Sequence, residues 1–282
     1  MKHDPFMEYS EPALKLPFCD NEVAAGFSTR NGGISTPPFH SLNLAFHVGD
    51  DAGRVRRNRQ RLATEIGFAL DRWVCAEQVH EAAIRKVDGQ DAGKGSQDLA
   101  SAIAGTDGLY TSESGLLLAL AYADCVPLYF YAPTKRLVGI AHAGWRGTVK
   151  MIAARMVKAW KNVEGVSVQD ILVVIGPSIG ACCYEVDTRV AAAVNERLGT
   201  DAKVVCRPTG NDRYHLDLKA CNQMLLVREG VSEHHIETSS YCTSCRTDKF
   251  YSHRKENGKT GRMLAFIGMR SAAVDRRRGG DC

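Results

Sequence analysis

Three short stretches of this sequence carry side chains that could hold a metal or run nucleophilic chemistry. They are Gln78-Val79-His80, Ala123-Asp124-Cys125 and His142-Ala143-Gly144-Trp145-Arg146-Gly147-Thr148. Each follows an apolar run, so each reads as the polar tip of a strand. The third runs on through a glycine turn into a helix, a junction that offers backbone N–H groups as well as side chains to a ligand. Two short strands fit between Cys125 and His142, so a hairpin would return the chain to the same end of a sheet. Imidazole, thiolate and imidazole together suit zinc, which takes nitrogen and sulfur donors tetrahedrally and in catalytic sites leaves a fourth position open. Copper accepts the same donors. A third chemistry uses Cys125 as nucleophile and His142 as its base. Against all three stands the plain alternative that a strand-end histidine is structural.

The remaining cysteines compete for these roles. Cys242-Thr243-Ser244-Cys245 has the spacing of half a structural zinc site or of a redox pair, with His253 as a conceivable further ligand. Cys182-Cys183 reads as a vicinal pair packed in the core. Cys19, Cys75, Cys206, Cys221 and Cys282 carry no signal. Polar residues suited to an anionic or hydroxylated substrate are Arg30, Asn43, Arg59, Gln78, Asp124 and Arg146; guanidinium forks bind phosphate bidentately. For each the alternative is a structural or surface hydrogen bond, most of all for Arg59 on the polar face of a helix. Asp124 could orient a ligating histidine or carry a proton.

The elements that must position these groups alternate without a clean βαβ rhythm, which predicts mixed α and β layers rather than a doubly wound sheet. Strands are expected over 23–29, 73–80, 109–111, 116–122, 129–131, 137–142, 171–175 and 263–268. Helices are expected over 52–66, 149–160, 187–198 and 218–229, the first capped by Asp50-Asp51. Residues 88–101 read as an exposed loop. The chain divides into an N-terminal extension (1–20), one catalytic domain (21–270) and a basic flexible tail (271–282) containing Arg276-Arg277-Arg278.

Composition narrows the function. Over 282 residues, hydrophobic residues make up 44% and charged residues 24%, ordinary for a globular protein, so a sizeable core is expected. A net charge of +4 over this length does not point to nucleic acid. The most apolar run, Gly115 to Ala123, is far shorter than the ~20 residues of a membrane helix, and residues 1–20 lack the apolar stretch of a signal peptide. The expectation is a cytoplasmic protein with its cysteines reduced.

The motifs together resemble the YfiH-like family, also called the laccase-domain or multicopper polyphenol oxidase family and, more recently, a purine nucleoside phosphorylase family. The matching stretches are 27–35 (Phe-Ser-Thr-Arg-Asn-Gly-Gly-Ile-Ser), Ser41-Leu42-Asn43-Leu44, Gln78-Val79-His80, Thr106 to Thr111, Ala123 to Leu128, His142 to Gly147, Ile175 to Gly180, Cys183 to Val186, Phe250 to Arg254 and Thr260 to Arg262. The resemblance implies a single-domain layered α/β sandwich, similar to the catalytic domain of a bacterial deamidating toxin that uses a Cys-His pair. It also implies a metal site at His80, Cys125 and His142.

For function the family implies two activities. One is copper-dependent phenol oxidation. Multicopper chemistry calls for many histidines, typically in His-x-His pairs, and the nine histidines here contain none. The other is zinc-dependent phosphorolysis of adenosine, inosine, guanosine and methylthioadenosine, with hydrolytic deamination of adenosine. In that reading the sequence assigns phosphate to Arg30 and Arg146, ribose or purine to Asn43 and Gln78, and protons to Asp124. A Cys125–His142 hydrolase editing peptidoglycan precursors is a third reading. Oligomeric state is not readable.

Overall fold

The computed structural model describes residues 3–18 and 22–271. Cys19, Cys282 and the Arg276–Arg278 run lie outside these residues. In chain order the first half contains β1 (Met7–Ser10), β2 (Ala13–Lys15), β3 (Val23–Ser28), α1 (Ala52–Ile66), β4 (Trp73–Cys75), β5 (Ile84–Lys86), β6 (Gly108–Thr111), β7 (Leu117–Tyr122) and β8 (Val126–Ala132). There follow β9 (Leu137–Ala143), α2 (Trp145–Val149), α3 (Ile152–Asn162), β10 (Leu172–Ile175), β11 (Glu185–Asp187), α4 (Thr188–Leu198) and α5 (Ala202–Val205). The last elements are β12 (Cys206–Gly210), β13 (Arg213–Leu216), α6 (Leu218–Arg228), β14 (Ile236–Thr238) and β15 (Met263–Met269).

Two six-stranded sheets stack, ordered β1-β2-β3-β15-β7-β4 and β14-β10-β8-β9-β6-β5; a small sheet β11-β13-β12 stands beside them. The period of two along the central strands explains the layering. On β7, Leu118, Leu120 and Tyr122 face the second sheet, where Tyr129, Val138 and Ile140 meet them. Leu117 and Ala119 point the other way, onto Leu62, Ala63 and Ile66 of α1. On β8, Val126, Leu128 and Phe130 face Met156, Val157 and Trp160 of α3, together with residues of α4 and α6. Four layers result, helix, sheet, sheet, helix. Strands buried on both faces read as unbroken apolar runs, which is how the sequence shows them.

This mixed, layered fold is the class expected. Asp51 caps α1, accepting the N–H of Arg54 at 2.8 Å, and Gly67 ends it at φ 71°. The helix expected over 149–160 is two helices, because Met151 breaks it at φ 66°. The 88–101 stretch is not simply exposed: Asp91, Gly95 and Ser96 are buried. Within the stretch set apart as an extension, residues 3–18 supply β1, which pairs with β2, and β2, which pairs with β3, and they bury Phe6, Leu14 and Leu16. The short strands β5 and β11–β14 carry too few residues for periodicity to reveal.

The topology matters most at one edge. The chain leaves the first sheet at Tyr122 and enters the second at Val126, so Ala123-Asp124-Cys125 bridges the layers. The β8–β9 hairpin then pairs Val126 with Ala143 and Pro127 with His142. That register brings the end of β9 back beside Cys125.

Candidate functional site

His80, Cys125 and His142 come together from three elements, with one donor atom of each within 4.8 Å of the others. Cys125 sits on the crossover between sheets, His142 near the end of β9, and His80 in the loop after β4, at φ 59°. The close packing here needs Gly144, since an added Cβ would come 3.0 Å from the Cys125 sulfur. The His80 and His142 rings stand edge to face, centroids 4.8 Å apart. Tyr122 packs edge-on against His142 at 5.3 Å and donates its hydroxyl to the carbonyl of Ala141.

Behind the triad lies a group that enters the sequence analysis only inside the stretch Thr106 to Thr111. Asp107 is fully buried, and its Oδ1 sits 2.8 Å from Nδ1 of His142. The same carboxylate accepts the backbone N–H groups of Val79, His80 and Glu81. It fixes the His142 ring, turns Nε2 to the triad, and holds the His80 loop. Burial opposes ionisation of Asp107, but the hydrogen bonds from His142 and Glu81 outweigh it and keep the carboxyl below its ordinary range. Asp107-Gly108, inside the motif Thr106 to Thr111, was the available signal.

Charge is concentrated here. Burial disfavours a Cys125 thiolate, yet His142 and His80 beside it bring the thiol down to about 6. Burial also disfavours protonated His142, while the Cys125 sulfur and Asp107 lift it to about 9. Without a cation, each partner thus favours the charged form of the other, the thiol pulled down and the imidazole pulled up. The same donors fit a divalent metal: a thiol ready to ionise, two imidazoles, and a carboxylate orienting one of them from behind, as metal-binding histidines commonly require.

The triad opens into a cavity of about 490 Å³, a size suited to a small organic ligand. Its lining combines apolar and aromatic surface (Ala119, Ala121, Trp145, Tyr184) with Arg254 and Arg262. His47 and His253 also line it; burial first, then Arg262 and Arg59, push His47 down to about 4, so its ring is neutral at pH 7. None of these four basic residues is singled out for substrate by sequence, although His253, Arg254 and Arg262 lie in the matching motifs.

The residues that were singled out divide. Gln78, Asp124 and Arg59 line the cavity; Arg30, Asn43 and Arg146 do not. Arg30 pairs with Glu256 at 3.0 Å, donates to the carbonyls of His40 and Thr247, and stacks on Tyr251. Asn43 is fully buried and spends its amide on Ala45, Asp50 and Arg262. Arg146 is exposed and lies over Trp145. Arg59 is 4% exposed rather than on a solvated face, and its fork holds the carbonyls of Leu44, Gly95 and Ser96. Gln78 uses both ends of its amide on the backbone of Ala121, locking the His80 loop to β7. Asp124, at φ 83°, accepts from Thr243 Oγ1 (2.6 Å), Ser252 Oγ and the Arg254 N–H, so its carboxylate is committed to clamping the sheet crossover to the long connection between β14 and β15.

The cysteine pairs also differ from expectation. Cys182 and Cys183 do not pack in the core: Cys182 is exposed, and both meet Cys242 and Cys245 to form a second donor cluster. His253 is not part of it and lines the cavity instead. Among the described residues no helix is long and apolar enough to cross a membrane.

A four-layered α/β/β/α protein with a Cys-His-His cluster on its sheet crossover is thus the class that fold and site define. The chain belongs to the family described as multi-copper polyphenol oxidoreductase laccase, whose profile matches residues 24–270. It is 53% identical over 248 residues to a protein of Geobacillus stearothermophilus named purine nucleoside phosphorylase YlmD, covering 88% of this chain and 90% of that one. It is 47% identical over 253 residues to the Bacillus subtilis protein of the same name, covering 90% and 91%. The crystal structure of YlmD from Geobacillus stearothermophilus superposes with a TM-score of 0.93 at 49% identity, over 95% of this chain and 100% of that one.

Proposed function

We propose that this chain is a zinc-dependent purine nucleoside phosphorylase, cleaving adenosine, inosine, guanosine or methylthioadenosine with phosphate to free base and ribose 1-phosphate (or its methylthio counterpart). The reading rests on one observation above others: the His80, Cys125 and His142 donors converge on a cavity that also presents Arg254 and Arg262. The names of the Geobacillus and Bacillus relatives support it.

The three donors would hold the ion, which when bound supplies Lewis acidity and an acidified water position. The chain's own residues do the rest. Arg254 and Arg262 offset phosphate charge, taking the place first given to Arg30 and Arg146. The aromatic faces of Trp145 and Tyr184 and the alanines of β7 shelter the purine and exclude water. Neutral His47 can donate or accept a hydrogen bond without adding charge. Asp107 keeps His142 oriented, and Asp124 with Gln78 keeps the crossover and the His80 loop in register.

We extend the reading to adenosine deamination, in which water attacks C6 of the purine instead of phosphate attacking C1′ of the ribose, and the amino group leaves as ammonia to give inosine. A panel of purine nucleosides incubated with the protein, with and without phosphate, tests both activities. Ribose 1-phosphate is expected only where phosphate is present, and inosine from adenosine in its absence. Free base in equal amounts without phosphate would contradict phosphorolysis.

A copper-dependent phenol oxidase is the second reading, favoured by the family's description. Metal analysis of protein purified without added copper, paired with oxygen uptake on a phenol, separates the two. Several coppers per chain with oxygen consumption would reverse the assignment. The Cys125–His142 ion pair also suits a metal-free hydrolase; in that case stripping the metal would leave activity intact.

A further inference from the structure

We propose a second metal site, a zinc tetrathiolate formed by Cys182, Cys183, Cys242 and Cys245, that ties a loop walling the cavity to the loop packed behind it. The four are free cysteines whose sulfurs all lie within 4.8 Å of one another. Cys245 Sγ stands 3.7 Å from that of Cys182 and 3.4 Å from that of Cys183. Four sulfurs at the usual zinc distance of ~2.3 Å form a tetrahedron with edges of about 3.8 Å, so the thiols already sit near ligand spacing. One half is a Cys-x-x-Cys turn and the other a vicinal pair about sixty residues earlier.

The surroundings suit bound thiolates. The N–H of Gly180 donates to Cys242 Sγ at 3.2 Å, the backbone hydrogen bond a metal-bound sulfur favours. Gly180 permits that approach: a Cβ there would come 3.3 Å from both Cys182 Sγ and Cys242 Cβ. Buried Lys219, held by the carbonyls of Ser239 and Tyr241, is near enough to interact electrostatically with Cys242 and Cys182 and offsets part of the −2 charge of a zinc tetrathiolate. Cys182 and Cys245 are exposed, giving the ion a path in. Binding is a proton exchange: one Zn²⁺ enters and four thiols release their protons.

The site would act on the cavity through short links. Thr243, beside Cys242, donates its N–H to Ser178 and its hydroxyl to Asp124, and Ile179 donates to the Asp124 carbonyl. Ile179 and Tyr184 line the cavity, and Asp124 precedes Cys125. Neither loop has regular structure over 179–184 or 243–250. An ion joining them would therefore fix this wall in place of a helix or strand ladder.

The test is zinc counting on the full chain purified under reducing conditions, followed by cobalt substitution. We expect two zinc ions per chain, falling to one in the His80→Ala/Cys125→Ala variant and to one in the Cys182→Ser/Cys245→Ser variant. Cobalt bound to the His80→Ala/Cys125→Ala variant should show the intense sulfur-to-cobalt charge-transfer band and the tetrahedral visible bands of a tetrathiolate. If the serine variant does not fold, the cobalt spectrum decides alone, because that chain keeps all four thiols. No metal in the His80→Ala/Cys125→Ala variant, iron in place of zinc, or a disulfide among the four cysteines would each overturn the proposal.

Discussion

Asp107 Oδ1 lies 2.8 Å from His142 Nδ1 and 3.1 Å from the backbone nitrogen of His80, so one buried carboxylate positions two of the three donors. Asp107→Asn keeps the shape and removes the charge. Its amide can present an N–H to His142 Nδ1 and favour the wrong tautomer. Outer-shell partners of this kind typically change metal affinity about 10- to 100-fold. We expect a loss in that range by competitive chelator titration, with an unchanged far-ultraviolet circular dichroism spectrum. Unaltered affinity would mean that Asp107 serves the loop alone.

The metal-free chain should show an acidic thiol at Cys125. Its thiol is lowered to about 6, so the reactive thiolate is the majority form above that pH and is lost as pH falls through it. His142, raised to about 9, stays protonated across the same window. Alkylation of Cys125 by iodoacetamide, followed by peptide mass spectrometry after chelation, should therefore rise with a midpoint near pH 6. In His142→Ala the midpoint should move up toward the free-thiol range. A wild-type midpoint at about 8.5, the ordinary value for cysteine, would contradict the ion pair.

Asp124 separates clamping from proton transfer. Asp124→Ala strands the Thr243 and Ser252 hydroxyls and the Arg254 N–H, and it places alanine at a positive φ. A cost of about 2–4 kcal/mol follows from unpaired buried donors and backbone strain. Asp124→Asn tolerates the backbone conformation and retains acceptor oxygen, so it should lose less stability in urea denaturation and keep most of its turnover. Wild-type stability with abolished turnover in Asp124→Asn would restore Asp124 as a proton carrier.

Arginine substitutions report which side chains meet phosphate. Arg254→Ala should raise the KM for phosphate about tenfold, as expected for loss of one charge-assisted contact, with a smaller effect on the KM for nucleoside. Arg146→Ala, outside the cavity, should leave both constants near wild type. The reverse pattern would return phosphate to Arg146.

Much of this was legible in the sequence because it depends on local signals. Asp51 and Gly67 bracket α1 by their capping chemistry, and the two-face burial of β7, β8 and β9 appears as apolar runs. The triad stood out because three apolar runs each lead into a soft or borderline donor, although His80 lies in the loop beyond β4 rather than at a strand end. What failed was partner assignment over distance. Arg30 and Asn43 look like ligand-binding residues by type, but carbonyls and carboxylates from other loops hold them outside the cavity. Cys182 and Cys183 find Cys242 and Cys245 only because loops far apart in sequence meet beside Asp124, and no local pattern encodes that meeting. Asp107 was hidden for a related reason: an Asp-Gly pair signals a turn equally well whether or not its carboxylate supports a histidine.

The most direct test of the central claim is the zinc content and phosphate-dependent adenosine cleavage of Cys125→Ala, measured on one preparation with the Cys182/Cys183/Cys242/Cys245 cluster intact. This variant should lose one zinc per chain and its ribose 1-phosphate production together, while remaining soluble and folded. Retention of the full zinc complement with wild-type turnover would contradict it.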